Sequence, residues 1–174
     1  MRILICEDSA LLREGLVRLL ADAGHEVVAA LPDATRLDDT VVEVSPDLCI
    51  LDVRLPPTRT DEGIRAALRL RAADPQLPVL VLSQYVEERY ASDLIAGKGG
   101  ALGYLLKDRV ADVGEFVESV ERIGAGSVEK HITAVFQKLE LEQAESGNRR
   151  VLAVLAHLEH GGPVTGATQT GEPS

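Results

Sequence analysis

Tryptophan is absent from these 174 residues, aromatic side chains make up 3% of them, and there are only two cysteines. Cys6 and Cys49 each sit inside an apolar run with the pattern of a buried strand. They therefore read as small, reduced core residues and not as a disulfide framework. Positive charge is scarce as well: 18 Lys+Arg against 28 Asp+Glu leave a net charge of −10. That balance argues against general affinity for nucleic acid or an anionic membrane. The deficit runs along the chain, with 14 basic against 22 acidic residues in 1–124 and 4 against 6 in 125–174. No apolar stretch is long enough to span a bilayer, and the N-terminus enters a strand without a signal-peptide pattern. The expected location is cytoplasmic, with no membrane partner. A hydrophobic content of 45% with 26% charged residues is that of a globular protein, and the length allows one ordinary domain plus something small.

The apolar residues that are present fall into alternating strand and helix patterns. Strands are expected at 2–6, 26–30, 48–51, 78–82 and 101–106. Helical spacing is expected between and after them, over about 10–23, 34–44, 61–73, 86–96 and 111–123. Ser9 is placed to cap the first helix, Gly24 to end it, Ser45-Pro46 to stop the second and Pro75 to close the third. The segment 54–60 is Pro-rich and too stiff for either element, and glycines at 97, 99 and 100 turn the chain into the fifth strand. Five βα units in about 124 residues predict a doubly wound α/β sheet with right-handed crossovers.

Polar signals stand where the strands end. Ile3–Cys6 stops at Glu7-Asp8, the third strand stops at Asp52, the fourth at Ser83 and the fifth at Lys107. In an open parallel sheet such strand exits share one crevice. Any one of these residues alone reads as a helix cap or a surface charge; their joint occurrence at four strand exits points to a site. Three carboxylates in one crevice repel and demand a compensating cation. A hard divalent ion such as Mg2+ takes oxygen ligands, which Glu7, Asp8 and Asp52 offer, with a backbone carbonyl just beyond Asp52, that of Arg54, able to add another. Asp52 is the candidate nucleophile for a phosphoryl group, Lys107 the cation that balances its charge, and Ser83 a hydroxyl donor to it. A hydroxyl drawn toward a new phosphoryl group would also drag its own loop and the helix after it.

Residues 1–124 resemble the receiver domain of two-component response regulators. The matching stretches are Cys-Glu-Asp-Ser at 6–9, Leu-Asp-Val-Arg-Leu-Pro-Pro at 51–57, Asp-Glu-Gly at 61–63, Val-Leu-Ser at 81–83 and Gly-Tyr-Leu-Leu-Lys at 103–107. The resemblance implies a flavodoxin-like five-stranded parallel sheet of order 2-1-3-4-5. It also implies Asp52 as phosphoacceptor, Glu7 and Asp8 as metal ligands, Ser83 and Lys107 as phosphate-sensing groups, and Tyr104 as a switch aromatic that swings inward. Mg2+ is the implied cofactor and a sensor histidine kinase the implied partner. The chain departs from the family pattern at Asp108, where proline is usual, and at Gln84, a long amide with reach toward the pocket that bears on the lifetime of an aspartyl phosphate.

Beyond 124–126 the pattern changes to two helices without strands, followed by a Gly/Thr/Pro-rich tail over 161–174 that is expected to be disordered. Residues 127–139 are similar to the recognition helix of a LuxR/NarL-type helix-turn-helix, and 148–160 to that domain's last helix. The 34 residues from 127 to 160 leave no room for the helix that seats the recognition helix on DNA. The output, 125–160, therefore reads as an internally shortened remnant. Residues 127–150 carry no net charge, so few phosphate contacts are on offer, although Lys130 and His131 lie where a groove would be read. Two short amphipathic helices must bury their apolar faces somewhere, and a homodimer is the most economical arrangement. His157 and His160 read as a surface pair. Three functions compete: a transcription-controlling response regulator, a receiver acting by dimerisation or partner binding without DNA, and a metal-dependent phosphatase. The last is weakest, because Arg54 stands two residues past Asp52, where a leaving-group acid would be needed; the chain is expected to be a phosphoacceptor and not an enzyme in the ordinary sense.

Overall fold

Residues 1–85 and 101–126 are described by the structure, a computed structural model. The expected helix over 86–96, the Gly-rich turn at 97–100, the two C-terminal helices with Lys130, His131, His157 and His160, and the tail lie outside the described residues. The described chain runs β1 (Arg2–Cys6), α1 (Ala10–Asp22), β2 (Glu26–Leu31), α2 (Leu37–Val44), β3 (Leu48–Asp52), α3 (Glu62–Ala73), β4 (Val79–Ser83) and β5 (Leu102–Leu106). A short 3-10 helix (Lys107–Ala111) and α4 (Val113–Gly124) follow. The strands form one parallel sheet in the order β2-β1-β3-β4-β5, which is the flavodoxin-like arrangement expected from the sequence.

Because strand side chains alternate between faces, each strand feeds two cores. Leu4, Cys6, Cys49, Leu51, Val79, Val81 and Tyr104 point to one side, where α2 supplies Leu37 and α3 supplies Ile64, Ala67 and Leu70. Ile3, Ile5, Leu48, Ile50, Leu80, Leu82 and Leu105 point to the other, against Leu16 and Leu20 of α1 and Phe116, Val120 and Ile123 of α4. All of these residues are buried, which is why β1, β3 and β4 read as unbroken apolar runs and not as alternating ones.

Helix boundaries follow local chemistry. Ser9 Oγ accepts the Leu12 N–H at 3.4 Å and starts α1, and Gly24 leaves it at φ +82°, a conformation glycine adopts without cost. Helix α2 starts at Leu37 and not at 34, because Asp33 Oδ1 accepts the Thr35 N–H at 2.8 Å and holds that stretch as a turn. Helix α4 begins at Val113 and not at 111 because the chain leaving Lys107 first winds as a 3-10 helix; Asp112 Oδ1 then caps α4 by accepting the Glu115 N–H at 3.0 Å.

Both cysteines are fully buried and free. Burial pushes both thiols up to about 12, with the charges of Asp33, Asp52 and Glu7 adding to the rise at Cys6. Since the thiolate is the reactive form, the native protein should leave a disulfide reagent unreacted at mildly alkaline pH, and unfolding in guanidinium should release both thiols. Rapid labelling of the native protein would contradict this core assignment.

Candidate phosphoacceptor site

At the carboxyl end of the sheet, Glu7 follows β1, Asp52 ends β3, Ser83 ends β4 and Lys107 follows β5. Glu7, Asp8 and Asp52 each offer a carboxylate oxygen within 4.8 Å of the others. Lys107 ties two of them together: Nζ donates to Glu7 Oε1 at 3.0 Å, lies 2.8 Å from Glu7 Oε2 and is 3.1 Å from Asp52 Oδ1. The side chains of Glu7 and Asp52 are 0% and 5% exposed, while that of Asp8 is 18% exposed.

Burial raises the Glu7 carboxyl above its ordinary range, and the nearby charge of Asp52 adds to the rise while the Lys107 hydrogen bond pulls it back. Burial by itself would depress the Lys107 ammonium, but the Glu7 hydrogen bond and the Asp52 and Glu7 charges override it and leave the ammonium raised. The lysine is thus held protonated among carboxylates.

Backbone groups fix the acidic turn. The Ser9 N–H donates to Glu7 Oε1 at 3.2 Å, and Arg13 Nη1 from α1 donates to the Glu7 carbonyl at 2.7 Å and the Asp8 carbonyl at 3.5 Å. Gly63, in the first turn of α3, packs so tightly on β3 that a Cβ there would lie 1.7 Å from the Asp52 carbonyl oxygen. Its own N–H donates to the Val53 carbonyl at 3.0 Å. Outside the pocket, Arg59 Nη1 reaches Asp8 Oδ2 at 3.0 Å. Sequence reasoning singled out neither Arg13 nor Arg59, and it noted Gly63 only as part of a motif. Arg13 lay one helical turn past Ser9, a usable signal. Arg59 had none, because its direction depends on the fold of a Pro-rich loop.

Ser83 and Tyr104, expected from the resemblance to act as a switch, meet at a different point. Ser83 is buried, and its hydroxyl donates to the Tyr85 carbonyl at 2.8 Å. Tyr104 is buried too, and its hydroxyl donates to that same carbonyl, also at 2.8 Å. Tyr104 therefore already lies inward. Gln84 is exposed. Arg54, two residues past Asp52, lays its guanidinium over the Tyr85 ring, 5.3 Å from the centroid, and links the β3 exit to the β4 exit.

The donor set is all hard oxygen. Glu7 Oε2 is buried and, although close to the ammonium, receives no hydrogen bond of proper geometry. An oxygen with spare lone-pair capacity beside two further carboxylates suits a divalent cation, so the residues fit a metal of that kind. The site thus sets a buried carboxylate, Asp52, beside a fixed cation and two further acids.

Residues 3–120 match the response regulator receiver domain family. The chain is 34% identical over 131 residues to the transcriptional regulatory protein DegU of Brevibacillus brevis, covering 75% of this chain and 52% of that one. It is 33% identical over 158 residues to the virulence transcriptional regulatory protein PhoP of Salmonella typhimurium, covering 90% of this chain and 68% of that one. It thus spans about half the length of the first relative and two thirds of the second. Among solved structures, the signal receiver domain of the response regulator NarL from Mycobacterium tuberculosis superposes with a TM-score of 0.61 at 29% identity, covering 72% of this chain and 96% of that one. A LuxR-family two-component response regulator from Aurantimonas gives 0.62 at 26% identity, covering 80% and 98%. The chain belongs to the response regulator receiver domain family and is homologous to transcriptional regulators. Among the described residues no helix is long and apolar enough to cross a membrane.

Two glycines test the geometry. Gly63→Ala should lower stability by about 1–3 kcal/mol, since the Asp52 backbone must move to admit the methyl group. Gly15→Ala, at an exposed helical position with open space around its Cβ, should raise stability by about 0.4–1 kcal/mol. Chemical denaturation of both variants checks the pair, and equal shifts would refute the close approach at Asp52.

Proposed function

We propose that the chain is the receiver of a two-component phosphorelay, accepting a phosphoryl group on Asp52 from a sensor histidine kinase in a Mg2+-dependent reaction. Its conformation and association state then change to control transcription. One observation carries this reading: a single ammonium, Lys107, bridges the buried carboxylates of Glu7 and Asp52. An Asp52 oxygen attacks phosphorus, the bond from phosphorus to the donor nitrogen breaks, and an acyl phosphate remains. Lys107, already on Asp52 Oδ1, balances charge on the incoming group. Glu7, Asp8, Asp52 and the Arg54 carbonyl would hold Mg2+, which when bound adds positive charge at the phosphoryl oxygens.

Ser83 would exchange the Tyr85 carbonyl for a phosphoryl oxygen. Because Tyr104 shares that carbonyl, the exchange changes what the tyrosine holds and carries the signal toward β5 and α4. Residues 1–124 form the receiver, and 125–160 the remnant of a LuxR-type output. The chain acts as a phosphoacceptor with at most self-catalysed transfer and hydrolysis, since Arg54 puts a cation where a phosphatase needs its leaving-group acid. A second reading, favoured by the zero net charge of residues 127–150, is a receiver that signals by homodimerisation or by binding a protein partner, without DNA.

Incubated with Mg2+ and acetyl phosphate, the protein should gain one phosphoryl group by intact mass. Asp52→Asn or a chelator should abolish the gain; a gain that survives Asp52→Asn sinks the proposal. Light scattering with Mg2+ and beryllofluoride, which stands in for the phosphoryl group, should convert monomer to dimer. Salt-dependent duplex binding by the activated form would separate transcription control from the DNA-independent reading.

A further inference from the structure

Arg59 occupies a conformation that an arginine does not take by default. Its φ is +58°, in the left-handed region where a Cβ is penalised. The loop between β3 and α3 is built to hold it there. The Arg59 N–H donates to the Leu55 carbonyl at 3.0 Å. On either side of it, the Thr58 N–H donates to Glu62 Oε1 at 3.1 Å and the Thr60 N–H to Glu62 Oε2 at 2.9 Å, with the Thr58 hydroxyl on Glu62 as well. Glu62, in the first turn of α3, therefore clamps the two neighbours of Arg59 and leaves the arginine at the apex. Its guanidinium extends to Asp8 Oδ2 at 3.0 Å, and Asp8 is the most exposed of the three clustered carboxylates.

We propose that Arg59 is the exchangeable counter-ion of this pocket. It holds Asp8 while no cation is bound, and it must yield that carboxylate for a divalent cation to bind, so it sets how tightly the pocket takes one. The inference rests on the reading of Glu7, Asp8 and Asp52 as a metal site. Lys107 and Arg59 divide the work by depth. Lys107 sits among the buried carboxylates and belongs to the charge balance of the fold. Arg59 is mostly exposed and bonded to the outermost carboxylate, so it can leave without stranding a buried charge. A guanidinium released from Asp8 goes into water, where it is well solvated, while the incoming cation gains a charged oxygen ligand.

The test is calorimetric titration of the full chain with Mg2+ alone, for wild type, Arg59→Asn and Arg59→Lys. Asparagine tolerates the left-handed backbone and removes the charge; lysine keeps the charge. Arg59→Asn should bind Mg2+ about two- to five-fold more tightly than wild type, the range that an exposed ion pair supports. Arg59→Lys should stay near wild type, and the Asn advantage should shrink as salt is added. Equal or weaker Mg2+ binding by Arg59→Asn overturns the proposal while leaving the metal site standing. If neither wild type nor Arg59→Asn takes up Mg2+, the metal reading itself fails and the proposal falls with it. Circular dichroism of each variant establishes that an altered affinity is not a folding defect.

Discussion

Two carboxylates, Glu7 and Asp52, are taken out of water at the end of this sheet and held by one ammonium, Lys107. Burying an ionised carboxylate without a partner is costly, and removing the partner of a buried charge costs more than the pair contributes. The strand order makes the pairing possible. Glu7 follows β1 and Lys107 follows β5, with β3 and β4 between them, a separation of roughly 14 Å at ordinary strand spacing. Only side chains that lean inward from a twisted sheet and are long enough to reach close that gap. A lysine and a glutamate meet the requirement, with the shorter Asp52 between them on the central strand.

The same period of two that builds the cores sorts the polar residues into two groups. Asp52, the last residue of β3, continues the set of Ile50, on the side of α1 and α4, and Glu7 and Lys107 gather on it from just past β1 and β5. Ser83 and Tyr104 continue the set of Val81, on the side of α2 and α3. The charge cluster gathers around Asp52, and the two hydroxyls around the Tyr85 carbonyl. The segments Asp52–Arg54 and Ser83–Tyr85 are joined where Arg54 stacks on Tyr85. Both hydroxyls donate to one carbonyl in that join.

Close packing supplies the accuracy this arrangement needs. Gly63 lets α3 approach the backbone of Asp52 more closely than any side chain would allow, and Arg13 secures the carbonyls of Glu7 and Asp8 from α1. Helices on both faces of the sheet thus position the acids through backbone contacts, leaving the carboxylate oxygens available to cations. Glu62 extends the same economy to the Pro-rich loop, where one carboxylate fixes Thr58 and Thr60 and with them the direction of Arg59.

The strands and their exits were legible in the sequence because a strand buried on both faces must be apolar throughout. A polar residue that ends such a run, as Asp52 and Ser83 do, is conspicuous. Helix starts were less legible where a side chain competes for backbone donors: Asp33 delays α2, and the 3-10 turn after Lys107 delays α4. The strand-exit acids and the lysine followed from pattern and chemistry together. Arg59, Gly63 and the shared Tyr85 carbonyl did not, since each acquires its role from a contact between segments that no local pattern encodes. The sequence by itself determined which residues are buried, which strands they make and which charges stand at the strand ends, because those follow from hydrophobic period and position. Tertiary structure alone decided which cation meets which carboxylate, because strand order, loop conformation and backbone approach set distances that residue spacing does not contain.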